Sequence, residues 1–358
     1  MRQYYLDNIR YFIIIIVVIF HVIFIYNGQP IIGKIGSPYK NQIQDIFQYI
    51  VYPWIMVLLY IISGISTYHY LLKYNNFIAD RTVKLLVPST LGILLYGWIL
   101  GYYNLVIGGS IKLLPKDFNN FFFYLLCCFS GIGPLWFNQI LWINSLLLVL
   151  IRRYEKNRIL NFFSNVNFLT VLSLGFGLWI SAQVLNTPVV ITYRFGIYAY
   201  SYLIGYYVFS QENNIKYLVS NSFILLIIDV ILGFFFTYKY FGEDFTANQV
   251  FTGPLSICYS WVSCLTIFGI GKKYFNKEYA FTRFMRKKSY GIYVFHYLFI
   301  TLAAYYLNIY SSLNLLYKYI LVGLSGIFGS MIIYEIVFKI PYINWIVLGI
   351  SQKKINKK

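Results

Sequence analysis

Charge is scarce in this chain, and negative charge scarcest. Eleven acidic residues stand against 29 basic ones in 358 positions, and charged residues of both signs make up only 11%. A soluble globular domain carries about a quarter, so the 59% hydrophobic content excludes that class. The four cysteines, Cys127, Cys128, Cys258 and Cys264, lack a paired framework. The three histidines, His21, His69 and His296, lack metal-ligand spacing. Neither a disulfide scaffold nor a metal site is therefore expected. No internal repeat is visible, and no soluble domain is expected at either end. The first apolar run has no small-x-small cleavage site after it and carries Asp7 and Arg10 at its edge, so it reads as an uncleaved span.

Long apolar runs are what the chain has in plenty. Ten of them, near 9–26, 46–72, 85–107, 134–151, 167–185, 195–210, 217–238, 250–270, 290–308 and 316–339, are each long enough to cross a bilayer. The sixth is short. The net charge of +18 falls in clusters between these runs, which speaks against a nucleic-acid surface. The N-terminus and the segments 73–84, 152–158, 211–216, 271–289 and 339–358 hold 22 of the 29 basic residues. Basic loops stay cytoplasmic, so both termini are expected on that side. Heavy use of Tyr, Phe, Ile, Asn and Lys reads as an AT-rich coding bias. The expected fold is an all-α polytopic membrane protein of about ten transmembrane helices, a single domain over 1–358 with a short basic cytoplasmic tail at 353–358.

Ionisable groups inside apolar runs are the natural functional candidates, because burial in hydrocarbon is costly unless they line a cavity. The first run is Arg10-Tyr-Phe-Ile-Ile-Ile-Ile-Val-Val-Ile-Phe-His21. As a helix it places Arg10 and His21 on one face, roughly 16 Å apart. Asp7 stands three residues before Arg10, at the spacing of a helix-surface pair. A polar outer loop with Gly28, Pro30, Gly33, Gly36 and Pro38 follows. Ser63-Gly64 in the second run is a small pair that permits close helix approach, and His69 is placed at the inner interface, meeting headgroups or water.

The next inner loop holds Arg81 and Lys84, which serve positive-inside topology and could also hold a phosphate. Residues 118–131 are too short to cross and read as an outer interfacial or re-entrant piece. They lead into Gly133-Pro134-Leu135-Trp136-Phe137-Asn138-Gln139, read as an outer aromatic belt or a sugar-binding surface. Asp229 either faces a cavity or pairs with a polar neighbour, and Arg194, Glu243 and Asp244 fall on the outer side. The basic loop Arg283, Arg286, Lys287, Lys288 precedes Ser289-Tyr-Gly-Ile-Tyr-Val-Phe-His296, and Glu335 lies about a turn from the inner end of the last run.

In that order, the Arg10-x10-His21 helix, Ser63-Gly64, Arg81-x-x-Lys84, Leu135-Trp136-Phe137 and Ser289 to His296 resemble the acyltransferase family 3 of integral membrane acyltransferases. Tyr5-Leu-Asp-Asn-Ile-Arg10 and Tyr334-Glu335 to Pro341 look most similar to its glucan succinyltransferase branch. The resemblance implies an O-acyltransferase that moves an acyl group, acetyl or succinyl, from cytoplasmic acyl-CoA to a hydroxyl of an exported or cell-surface glycan. It implies acyl-CoA as co-substrate with no bound cofactor, and a bacterial plasma membrane. The family usually has two arginines where this chain has Arg81 and Lys84, and lysine lacks the planar fork.

The residues and the resemblance together make His21 the catalytic group, a general base or an acyl-accepting nucleophile. Arg10, Arg81 and Lys84 are the acyl-CoA phosphate ligands, and Asp7, Ser63, Trp136, His296 and Glu335 the supporting or substrate-binding set. The competing expectation is an exporter of a glycan or lipid-linked sugar. Repeated halves with matching helix breaks would mark it, and the sequence shows neither.

Overall fold

The computed structural model describes residues 3–28, 35–36, 42–73, 76–115, 117–187 and 192–350. Pro30, Gly33, Pro38 and the tail 353–358 lie outside the described residues. Among those described, the regular structure is helical: α1 (Tyr4–Ile25), α2 (Ile43–Leu71), α3 (Phe77–Ile107), α4 (Asn120–Ser130), α5 (Gly133–Glu155), α6 (Phe168–Ala182), α7 (Phe195–Ile204), α8 (Ser222–Tyr240), α9 (Pro254–Tyr274), α10 (Ala280–Tyr310) and α11 (Leu315–Lys339). Eight of these, all but α4, α6 and α7, are long and apolar enough to cross a membrane. The protein is thus an all-α polytopic membrane protein.

Every one of the ten apolar runs is helical, but the fifth and sixth are shorter than a span. Helix α6 covers 15 residues, about 22 Å at helical rise. It starts where the Asn167 side chain accepts from the Thr170 amide. Helix α7 has 10 residues and passes into a π turn, Gly205–Phe209.

Two segments expected as loops are helix instead. Arg81 closes the first turns of α3 and Lys84 lies in a π turn, Thr82–Leu86. Helix α10 starts at Ala280, so Arg283, Arg286, Lys287 and Lys288 ride on it. Nothing between Ala280 and Tyr290 is Gly or Pro, and the good helix formers there carry the spiral past the apolar boundary.

The chain divides into two compact units. The first comprises Met1–Ile13, Ile46–Ile78 and Ile140–Arg283. Its centre is the contact of α2 with α7 and the following π turn. A Cβ on Gly64 would stand 2.1 Å from the Tyr202 carbonyl oxygen, and one on Gly205 2.1 Å from that of Ile61. The small pair Ser63-Gly64 therefore serves backbone approach, as small residues do between membrane helices. Asp229 on α8 pairs rather than facing a cavity: Ser263 on α9 donates to it at 2.5 Å.

Arg194, expected at the outer surface, is fully buried at the start of α7. It donates to the Tyr52 hydroxyl (2.8 Å), the Thr246 carbonyl (2.5 Å) and Asn248 Oδ1 (3.4 Å), and its guanidinium lies 3.9 Å from the Phe251 ring centre. Burying a cation is costly unless its donors are satisfied, and here neutral acceptors and an aromatic face do that.

The second unit comprises Ile14–Asp45, Ala79–Gln139 and Phe284–Lys358. Helices α3 and α4 meet backbone to backbone. A Cβ at Gly101 would fall 1.7 Å from the Cys127 carbonyl oxygen, and one at Gly131 1.8 Å from that of Gly97. Cys127 and Cys128 are buried and free. Leu135, Val294, Phe295, Val337, Val347 and Leu348 form a core that ties the start of α5 to α10 and α11. Gly326 on α11 faces Ile300 and Val18, which seats the later part of α1.

Candidate active site

In the second unit the last turns of α1 bring His21 against His296 of α10. The ring centres lie 5.0 Å apart, and His296 Nε2 is 3.2 Å from His21 Nδ1. His296 is fully buried; His21 is partly so. The partners assign the tautomers. His296 Nδ1 lies 2.9 Å from two carbonyl oxygens, of Ile292 and Tyr293, and carbonyls only accept, so Nδ1 carries the proton. Neutral His296 then offers a lone pair at Nε2. His21 Nδ1 faces that lone pair and, at 2.9 Å, the Val17 carbonyl, so it too is protonated. The remaining nitrogen, His21 Nε2, is the bare base, and it bonds to no described residue.

The surroundings of the pair come from α10 and from the joint between α4 and α5. Tyr297 stacks obliquely on His21 with centres 4.6 Å apart. Gly133, at φ +47°, sits where a Cβ would be 3.7 Å from Tyr297 and 2.7 Å from a Leu100 methyl group. A glycine is required there for the positive φ and for space. This joint, Gly131-Ile132-Gly133-Pro134, is thus packed beside Tyr297, next to the histidine pair. The aromatic and amide cluster at the start of α5 is partly buried against α10. Leu135 and Asn138 are buried, and the Tyr293 hydroxyl donates to the Pro134 carbonyl. Trp136 and Phe137 remain partly exposed, ring edge to face at 6.4 Å.

The basic candidates divide between the units. In the first, Arg10 on α1 stands 3.7 Å from Asp7 and donates to the Ser66 hydroxyl at 2.8 Å. The hydroxyl beside Arg10 is therefore that of Ser66. Gln3, Leu6, Asp7, Arg10, Ser66, His69 and Lys73 line a pocket of about 520 Å³. His69, expected to meet only headgroups, lines this pocket with its Nε2 buried and unpaired. A neighbouring hollow of about 340 Å³ shares Gln3, His69 and Lys73 and adds Lys272.

In the second unit Lys84 is exposed and pairs with Asp80 at 3.5 Å. An exposed pair of this kind contributes little to stability. A Cβ on Gly349 would fall 2.7 Å from Lys84 Cα, so the segment after α11 packs on this turn. Glu335 on α11 is taken by Lys288 on α10. Sequence reading named both histidines but not their pairing, and it overlooked Ser66, Lys73 and Tyr297. The run Tyr290, Tyr293, Tyr297, at i, i+3 and i+7, was the available signal for the last. Among the described residues no three His, Cys, Asp or Glu side chains converge as a metal site would need.

Long apolar helices, two of which bring a pair of imidazoles into contact, define a polytopic membrane protein with a candidate base. The chain belongs to the acyltransferase 3 family: that family's model, described as an acyltransferase domain, matches residues 3–335. The protein is accordingly a membrane acyltransferase. Comparison with curated proteins and with solved structures returned no match.

Proposed function

We propose that the protein transfers an acetyl or succinyl group from cytoplasmic acyl-CoA to a hydroxyl of an exported or cell-surface glycan, at the bacterial plasma membrane. The observation that supports this reading is the contact of His21 Nδ1 with the Val17 carbonyl and His296 Nε2, which leaves Nε2 of His21 as the nitrogen without a described partner.

An acceptor hydroxyl placed at Nε2 loses its proton to that nitrogen as its oxygen attacks the thioester carbonyl. General-base assistance of this kind is worth about 10²- to 10⁴-fold. The imidazolium that forms spreads its charge through Nδ1–H to the Val17 carbonyl and His296 Nε2. When the tetrahedral intermediate collapses, the C–S bond breaks and the departing thiolate takes the proton from Nε2. CoA is released as a thiol, the acceptor keeps the ester, and His21 returns to its neutral tautomer.

Recognition of the donor phosphates is assigned to Arg10 with Lys73 and to Arg81 with Lys84. Arginine forks phosphate oxygens with two parallel hydrogen bonds, and lysine adds a point charge. Helix α1 runs unbroken from Arg10 to His21. Asp7 holds Arg10 in place, and Trp136, partly exposed, is the candidate contact for a sugar ring. The test is the ester content of surface glycans from cells with and without this protein, by NMR or mass spectrometry. Loss of one defined acyl ester supports the reading, and an unchanged pattern removes the glycan acceptor.

A further inference from the structure

Buried polar atoms are almost always hydrogen-bonded, and one that is not asks for a water or a ligand. The second unit has such atoms grouped below the histidine pair, toward the basic end of α10. The Tyr96 and Tyr290 hydroxyls and the Asn138 amide nitrogen are all buried; Asn138 is placed to donate to the Tyr290 oxygen, which leaves both phenol protons and the second amide proton unspent. Asn138 itself is 3% exposed. They are neighbours: Asn138 lies beside Tyr290, and Tyr290 interacts with Tyr96.

The order of groups along α10 gives the cluster a direction. Lys288, paired with Glu335, marks the basic end. Tyr290, Tyr293 and Tyr297 follow at i, i+3 and i+7, within about 60° of one face and rising about 10 Å. Tyr290 and Tyr293 rings are 6.3 Å apart, and Tyr297 touches His21. The tyrosine face therefore rises from Tyr290, two residues past Lys288, to the bare base at His21.

We infer that Tyr96, Tyr290 and Asn138 bind the amide-bearing pantetheine arm of the acyl donor. The inference rests on the acyl-CoA reading above and adds residues that reading does not use. Pantetheine is a flexible chain with amide groups spaced along it, and in a water-poor site each amide requires a partner. An amide carbonyl accepts from Asn138 Nδ2 or a phenol, and an amide N–H donates to a phenol oxygen. Tyr293 is already committed to the Pro134 carbonyl, so it lines the path without offering its proton. A lipid tail would leave the unspent protons of all three groups unpaired, and an acceptor sugar arriving from the other side would meet His21 before reaching them.

The experiment uses the full-length protein in vesicles, as wild type and as Tyr96→Phe, Tyr290→Phe and Asn138→Leu. Each is assayed with acetyl-CoA and with a short acetyl thioester lacking both amides. Removing one amide hydrogen bond is expected to raise the KM for acetyl-CoA about 3- to 10-fold, with the acceptor KM and the short-thioester rate unchanged. The Tyr→Phe variants should fold as well as wild type, since each deletes a hydroxyl whose proton is unspent; they decide the matter if Asn138→Leu is unstable. Variants whose acetyl-CoA KM matches wild type overturn the track, leave the donor reading standing and assign the cluster to water. Equal loss with both thioesters also overturns it. A wild type that does not turn over acetyl-CoA or succinyl-CoA overturns track and donor reading together.

Discussion

His296 Nε2 lies 3.2 Å from His21 Nδ1, and this contact, between residues 275 positions apart in sequence, joins the Val17 carbonyl in holding the Nδ1 proton and leaving Nε2 free to react. His296 acts through His21, so it is a positioning residue. Replacing it with Ala removes one of the two acceptors that hold Nδ1–H and the ring packed against His21. A loss of about 10- to 100-fold in kcat is expected, since small misplacements of a reacting group cost about that much. The donor KM should stay as in wild type. His296→Gln, which can restore an acceptor, should recover part of the rate where Ala does not. Equal rates for the two variants would assign His296 to packing.

Arg10 should report on the donor's charged head. Arg10→Ala is expected to raise the acyl-CoA KM about tenfold or more, with kcat at saturation little changed, because a charge-assisted hydrogen bond is worth about 1.5–3 kcal/mol. The Ser66 hydroxyl held by Arg10 offers a control. Ser66→Ala should shift the same KM by less. Saturation kinetics with acyl-CoA check both, and an unaltered donor KM in Arg10→Ala would remove it from phosphate recognition.

Arg194 should matter for stability rather than for rate constants. Its donors join the start of α7 to Tyr52 on α2 and to Thr246 and Asn248 ahead of α9. Arg194→Ala leaves those neutral acceptors unpaired, and each buried acceptor left so costs about 1–3 kcal/mol. Arg194→Lys should recover little, since an ammonium cannot serve three separated acceptors and stack on Phe251. Thermal melts in detergent are the measurement, and a fully stable Lys variant would contradict the fork geometry.

The spans were legible because hydrophobic length is a local property. Their ends were legible only in part: α3 and α10 run past the apolar boundary, where the basic residues are good helix formers and nothing stops the spiral. The two histidines stood out singly because ionisable side chains are rare in apolar runs. Their contact was not legible, since no local rule relates α1 to α10. The segment Gly133 to Gln139 was placed at the outer surface because its aromatics match an interfacial belt. Its packing beside Tyr297 depends on the backbone contacts of Gly97 and Gly101 with α4, which hydropathy does not see. His69 was passed over because an interfacial histidine is ordinary until a pocket with Arg10 and Lys73 forms around it.

Vesicles sealed around the protein, loaded inside with acyl-CoA labelled in its acyl group and offered a glycan outside, test the central claim most directly. Wild type should place label on the outer glycan as an ester, and His21→Ala should reduce that ester at least about 100-fold while remaining inserted and folded. Label appearing outside at the same rate with His21→Ala would contradict the account.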